Sequence, residues 1–538
     1  MAPDGTLPSR LLRFSQTPVG GFTVGLLVFL ASLANFLTFS SYPAFRPEVG
    51  LVVLLLAAVA ALAALAFKAA GRLGRLTLVA LLVFLAFDLN SRSQYDILVA
   101  AVALLMLRDY SLPILGVMAC TVLLSKSVLL VGDHDMTSAA HAIEVNESAE
   151  PSAGRGDLPA LLHLVLDAHI GVEASAGEGA GLTQTGDAIR QFYDRNDFRL
   201  FGGAYSIHRR TLNSLQAVLN GNRDVALYGN VLGLHLDTNR YFNVLAERGY
   251  RIDVLQTDWI DYCAGRGVVS CREWKSADPR PLLAAPLTVS EKATVLAAQF
   301  FSLSRIVSGS GALYDDLAAA AQARGVPLPP LLLEDKSLTS TLVAASEFDA
   351  LIDDLRTAEP GTAYFAHILL PHQPFALGRN CAVRPLREWQ VQVSDFAAVA
   401  ERKAAYLEQV LCTQKKIQAA LDALAALPAG GNTIVVIHGD HGSRITAHEP
   451  FVDNDGRFTD QDVVDSYSTL FAVRAPGMEA GYDGRRLPIH LILSGLVASG
   501  FTGIDGGLAP DFRHTIVMEN EHWVPVEVRD LPETWTGP

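Results

Sequence analysis

The hydrophobic positions of this chain follow two patterns, and the change falls near residue 157. Up to residue 131, apolar residues run on with little polar interruption, as Val19–Phe39, Val49–Phe67, Leu73–Leu89, Tyr95–Leu107 and Leu112–Val131. The first, second and fifth runs have the length of a membrane span; the third is marginal and the fourth short. Arg10 and Arg13 precede the first run, Lys68, Arg72 and Arg75 follow the second, and Arg108 precedes the fifth. Five spans place all these charges on one, cytoplasmic side and residues 132–538 on the other. Four would leave the remainder in the cytoplasm, so about five helices are expected over 1–131. No small-residue cleavage site follows a short apolar core, so the first span is expected to stay in the protein.

Residues 132–157 are polar and small and read as a linker, with Asp133, His134 and Asp135 as solvated residues within it. From Leu158 strands and helices alternate. Strands are expected at Leu161–Leu166, Phe198–Tyr205, Arg251–Leu255, Ala363–Leu370, Asn432–Ile437 and Ser468–Arg474. Helices are expected at Gln184–Asn196, Tyr241–Arg248, Ser337–Thr357 and Ala397–Leu427. That order predicts an α/β domain over 158–538, with a central, mostly parallel sheet and helices on both faces.

Length and charge narrow the picture. A chain of 538 residues exceeds one ordinary core. A net charge of −14 gives no basic footprint, which argues against nucleic acid as a partner. Of five cysteines, Cys120 lies in an apolar run and reads as a buried thiol. The other four, Cys263, Cys271, Cys381 and Cys412, lie beyond the spans. An even number there suits two disulfides in an oxidising compartment, and Cys263 with Cys271 reads as a small disulfide loop.

The chemistry concentrates at Asn432–Arg444, NTIVVIHGDHGSR. A β-branched run ends in Asp440 and His441, and open α/β sheets bind ligands at the carboxyl ends of their strands. Asp167 ends the first strand of the same domain. If both strands are central, Asp167, Asp440 and His441 converge as oxygen and nitrogen donors for one divalent metal, zinc or manganese. FVDNDGRF at 451–458 lacks the leading Asp and closing Glu of a calcium loop and reads as an exposed turn.

VLD at 165–167, a hydroxyl residue some forty positions on, and GDHG at 439–442 resemble the alkaline phosphatase superfamily. With N-terminal spans and an external domain, the layout is similar to its membrane phosphotransferases, the lipid A phosphoethanolamine transferases and lipoteichoic acid synthases. The resemblance implies a sulfatase-like catalytic domain whose nucleophile is a Thr or Ser that also touches the metal. In SIHRRTLNSLQAVLNG, 206–221, Thr211 is the best match, with Ser214 and Ser206 behind it. A hydroxyl at a helix N-terminus would be activated by the metal and face exposed N–H groups that favour phosphate. In AHILLPHQPF, 366–375, the resemblance maps His372 to a catalytic role at the leaving group and His367 to substrate binding, with His448 as a further substrate contact. His438 and Arg444 flank the metal pair as candidates for phosphate contact.

The match has departures. The membrane transferases carry Glu where Asp167 stands, and Cys412 and Thr413 stand near where an Asp follows the helical Tyr, here Tyr406. The C/S-x-P-x-R run that sulfatases modify is absent near 206–221, and CAGRG at 263–267 lacks its proline. The resemblance therefore implies transfer of a phospholipid headgroup, phosphoethanolamine or phosphoglycerol in type, through a phospho-threonine to a glycan or glycolipid of the cell envelope. It also implies a multi-pass protein of the bacterial inner membrane with a periplasmic catalytic domain. A sulfatase-like hydrolase and a non-catalytic binding protein are the alternatives.

Overall fold

The structure is a computed structural model that describes residues 17–69, 89, 111–131, 140–142, 157–175, 182–221, 234–235, 239–303, 337–389, 399–428, 432–504, 513–520 and 524–532. The chain forms two compact units, Met1–Thr137 with Ala277–Thr339, and Ser138–Ser276 with Ser340–Pro538.

The first unit contains α1 (Pro18–Phe39), α2 (Pro47–Ala69) and α3 (Ser111–Val131). Thr17 caps α1 by accepting from the Gly20 N–H, and Pro18 starts it, where its missing donor costs nothing. Leu54, Leu62 and Leu65 of α2 point outward, so apolar residues cover the exposed side of that helix as well. Among the described residues two helices, α1 and Pro47–Ala66 of α2, are long and apolar enough to cross a membrane, whereas Pro113–Lys126 of α3 is a shorter apolar helix. The expectation of five is corrected to two for the described residues; the predicted runs at 73–89 and 95–107 lie almost wholly outside them. Cys120 is exposed on α3 rather than buried, because an apolar run on an all-apolar helix need not face inward.

The helix Val289–Ser302 also belongs to this unit, which corrects the reading of 158–538 as one continuous domain. Thr288 and Glu291 form a reciprocal capping box at its start. Phe300 meets Phe36 of α1 edge-on, with ring centroids 5.9 Å apart.

The second unit is built on a nine-stranded sheet among the described residues. Its strands are β1 (Ala140–Ala142), β2 (Ala160–Leu166), β3 (Arg199–Phe201), β4 (Arg251–Thr257), β5 (Val268–Trp274), β6 (Thr362–Ile368), β7 (Thr433–Gly439), β8 (Phe471–Arg474) and β9 (Gly481–Asp483). The spatial order is β1-β5-β4-β6-β2-β7-β8-β3-β9. The five strands from β5 to β7 are mutually parallel, and β1 and β8 run against their neighbours β5 and β7. Every residue of β2, β6 and β7 is buried, as expected of central strands covered on both faces. β1 falls inside the predicted linker, so part of 132–157 is sheet edge. The expected strand Phe198–Tyr205 is interrupted after β3 at Gly202 and Gly203, where a Cβ would collide with Tyr482 and with the Arg485 backbone, and resumes at Ala204–Tyr205 beside Leu487–Pro488.

Four helices matter for the site or its surroundings: α4 (Leu182–Arg195), α5 (Thr211–Asn220), α6 (Ser340–Leu355) and α7 (Val399–Ala425). Disulfides join Cys263 to Cys271 and Cys381 to Cys412, the second tying the 371–389 segment to α7.

Candidate active site

Register brings the donors together. Leu166 of β2 is level with Gly439 of β7 on one side and Ile368 of β6 on the other. Asp167 and Asp440 therefore emerge side by side, one residue past the paired ends, and His367 sits one residue before the end of β6. Asp167, His367 and Asp440 are fully buried, and each offers a ligand atom within 4.8 Å of the others. His367 Nε2 is 3.6 Å from Asp167 Oδ2. His441 Nε2 is 3.2 Å from Asp440 Oδ2 and 3.8 Å from Asp167 Oδ1.

Three atoms of this cluster, Asp167 Oδ1, His367 Nε2 and Asp440 Oδ2, are buried without a hydrogen-bond partner among the described residues. Orphans of this kind are rare in folded proteins, and three facing one another need a common partner. Burial, and then the charge of Asp167, push the Asp440 carboxyl well above the usual range. Burial also works against ionisation of Asp167, but His372, and then the contact from His367, outweigh it and hold that carboxyl low. Burial, and then Arg444, keep His441 neutral, the form that ligates metal. His441 Nδ1 lies 2.8 Å from the Gly442 carbonyl and His367 Nδ1 3.2 Å from Tyr262 Oη, so both rings are oriented through the nitrogen that faces away from the cluster. Two carboxylates and two imidazoles fit a zinc or manganese ion.

Helix α5 carries the candidate nucleophile. Thr211 is its first residue, Arg210 before it is extended, and no side chain caps the N-terminus. Thr211 Oγ1 donates to Asp167 Oδ2 at 3.3 Å and lies 3.2 Å from His441 Nε2. Ser214, one turn on, donates to the Asp440 carbonyl, and Ser206 donates to Ser214. Those two hydroxyls fasten α5 to the end of β7. Arg209, buried and stacked over Phe451, pairs with Glu449 and fastens the loop after β7 to the same helix start.

The glycines of GDHG have steric reasons. A Cβ on Gly439 would lie 2.3 Å from Thr469 Oγ1, and one on Gly442 would lie 2.3 Å from the Asp465 carbonyl oxygen. The backbone N–H groups of Ala168 and His441 both donate to Asp440 Oδ1 at 2.9 Å, leaving Oδ2 toward the cluster. Tyr406 of α7 donates to the Ala168 carbonyl and accepts from the Ile170 N–H, each at 2.8 Å, which pins the turn after Asp167.

The structure thus brings Asp167, Thr211, Asp440 and His441 together and adds His367, which sequence reading had assigned to substrate. His372 is near enough for its charge to hold Asp167 low, but its ring contacts lie elsewhere: its Nδ1 is 2.7 Å from the Gln373 carbonyl, its Nε2 is 3.3 Å from Arg444 Nη2, and it meets Trp259 edge-on. His448 is half-exposed in the loop beside Glu449 and is not in the cluster. His438 points away to His163, with Nε2 atoms 2.9 Å apart.

No family model matches the chain, and no curated protein matches its sequence. Among solved structures it is similar to the C-terminal periplasmic domain of EcEptC from Escherichia coli in complex with Zn, at 12% identity over 71% of this chain and 95% of that one, with a TM-score of 0.41. It is also similar to a putative sulfatase from Bacteroides thetaiotaomicron (17% identity, 68% and 79% covered, TM-score 0.41). A third is the phosphonate monoester hydrolase of Agrobacterium radiobacter (15% identity, 67% and 80% covered, TM-score 0.39). At these values the likeness is distant, and the reactions in those names belong to those proteins.

Proposed function

We propose that the chain is a membrane-anchored, metal-dependent transferase of phosphate esters, of the alkaline phosphatase type, with Thr211 as its nucleophile. One observation carries the reading: a helix-start hydroxyl lies within 3.3 Å of Asp167 Oδ2 and 3.2 Å of His441 Nε2, beside three buried orphan donor atoms. A divalent cation bound by Asp167, His367, Asp440 and His441 would stabilise phosphate charge and acidify the Thr211 hydroxyl.

The protein's own groups set the rest. Thr211 Oγ1 forms the new P–O bond as the bond to the leaving alcohol breaks. Asp167 Oδ2 accepts from the Thr211 hydroxyl and takes its proton, and the N–H groups opening α5 receive the phosphate oxygens. The leaving alkoxide takes up the proton lost by Thr211; the oxygen of an acceptor hydroxyl then bonds to phosphorus as the P–O bond to Thr211 breaks, and the acceptor's proton passes to Thr211 Oγ1. The donor is proposed to be a membrane phospholipid headgroup and the acceptor an envelope glycan or glycolipid, with the catalytic unit outside the cytoplasm. Two apolar helices and two disulfides support that placement. A threonine outside any C/S-x-P-x-R run favours phosphate over sulfate.

Full-length protein incubated with an aryl phosphodiester should release the aryl alcohol and carry a phosphoryl adduct on the Thr211 peptide by mass spectrometry. Full turnover by Thr211→Ala would rule the nucleophile out.

A further inference from the structure

The two imidazoles of the donor cluster are held from behind by different groups. His441 Nδ1 lies 2.8 Å from the Gly442 carbonyl. A carbonyl only accepts, so that nitrogen carries the proton and Nε2 keeps its lone pair toward the cluster. His367 Nδ1 lies 3.2 Å from Tyr262 Oη. A hydroxyl both donates and accepts, so the fold leaves the His367 tautomer open.

Tyr262 is set firmly for this contact. It is buried, its N–H donates to Gln256 Oε1 at 2.7 Å, and its ring meets Phe365 edge-on at 5.0 Å. Cys263, the next residue, is bonded to Cys271 of β5. Among the described residues its hydroxyl has no partner besides His367. On the other side of the imidazole, His367 Nε2 is 3.6 Å from Asp167 Oδ2, without a hydrogen-bond partner among the described residues. Two neutral forms of the ring follow. With the proton on Nδ1, Tyr262 Oη accepts it and Nε2 faces the cluster as a ligand. With the proton on Nε2, the Tyr262 O–H donates to Nδ1 and Nε2–H faces the cluster as a donor.

Asp167, His367, Asp440 and His441 make four ligands, which closes a tetrahedral zinc site, whereas catalytic zinc keeps one position open. His441 is fixed by its carbonyl, and Asp440 by the Ala168 and His441 N–H groups. Of the two imidazoles only His367 has a second neutral form that gives up its ligand lone pair.

We propose that Tyr262 makes His367 the releasable ligand: it holds the metal until a phosphate oxygen takes its place, and then donates Nε2–H to that phosphate. The proposal rests on the metal-dependent phosphate-ester reading above and deepens it. Tyr262 is a positioning residue that acts through His367. Its hydroxyl favours release, because in the ligand form the Tyr262 O–H is a buried donor with no acceptor among the described residues.

Full-length protein with isotope-labelled histidine, loaded with zinc, tests this by long-range proton–nitrogen NMR, with signals assigned from His367→Gln and His441→Gln. Without phosphate, both Nε2 atoms should be metal-bound and both Nδ1 atoms protonated. Saturating inorganic phosphate should return His367 to the Nε2-protonated form and leave His441 unchanged. At saturating zinc, Tyr262→Phe should keep His367 on the metal and raise the phosphate Kd about tenfold. Release of His441 in place of His367 would overturn the proposal, as would a phosphate Kd unmoved by Tyr262→Phe. Should Tyr262→Phe fail to fold, the His367 signals of the parent protein decide alone. Phosphate bound with His367 still on zinc sinks only the releasable ligand. Zinc-loaded protein that binds no phosphate and forms no adduct on Thr211 sinks the phosphate-ester reading, and this inference with it.

Discussion

Strands β2 and β7 each carry buried polar residues in two places, and the two places behave differently. Within the strands, His163 and His438 pair through their Nε2 atoms, pack edge-on at 5.0 Å, and are walled by Tyr241, Phe365 and Phe471. At the strand ends, Asp167 and Asp440 face each other with oxygens that nothing satisfies. Both places are fully buried, and both use residues that bind metals elsewhere. The interior pair joins ring to ring, with His438 Nδ1 on the Gly439 carbonyl, and among the described residues leaves one nitrogen, His163 Nδ1, without a partner, where the strand ends leave two carboxyl oxygens facing each other. The pair at the strand ends is a concentration of negative charge in a dry site, stable only with protons or a cation. Position along the strand, more than residue type, separates the fold's polar groups from the site's.

The largest effect that tests this contrast is at Asp440. Asp440→Asn should lower turnover by on the order of a thousandfold and strip the metal from the purified protein. In chelator the sign reverses for stability: removing one of two facing carboxyls should raise Tm relative to the metal-free parent. A metal-free Asp440→Asn protein less stable than its parent would mean that the two carboxyls do not repel.

His367 gives the next largest effect and sharpens the boundary between donor and substrate contact. His367→Gln should weaken metal binding about 10- to 100-fold, read by competition with a chelator, and excess metal should restore part of the activity. A substrate contact would instead raise KM at unchanged metal content.

A smaller effect is expected from the interior pair. His163→Phe leaves His438 Nε2 without its partner and should cost about 1–3 kcal/mol in urea unfolding, with metal content unchanged. Metal loss in that variant would merge the two places.

Much of this was legible in the sequence, and the reasons differ by element. The β-branched run before GDHG and the LLHLVL run before Asp167 are unbroken apolar stretches, as strands covered on both faces must be, so β2 and β7 could be placed and their terminal donors named. Thr211 was singled out by the resemblance; the local pattern shows only that it opens a helix, which stops at Gly221 in the left-handed conformation with φ of 68°. The role of His367 was not legible, because periodicity shows that β6 exists without showing that β6 lies next to β2. The place of 277–339 was hidden for a similar reason: the helix Val289–Ser302 is buried nearly all round, and that pattern does not say in which core.

The smallest effect is in pH. Burial depresses His438 and His208, each to about 4, below the ordinary value of 6.5 for an exposed imidazole. The folded state therefore keeps both neutral where the unfolded chain has begun to bind protons. Stability is fully present above about 6.5 and falls as pH drops toward 4, by at most about 1.4 kcal/mol per pH unit for each histidine. His438→Phe should flatten that limb by one proton's worth while leaving the His208 share, measured as urea midpoints between pH 7 and 4.5. An unchanged slope would mean that His438 is already charged in the fold, and a charged His438 would make the interior of the strands, like their ends, a place where charge is buried.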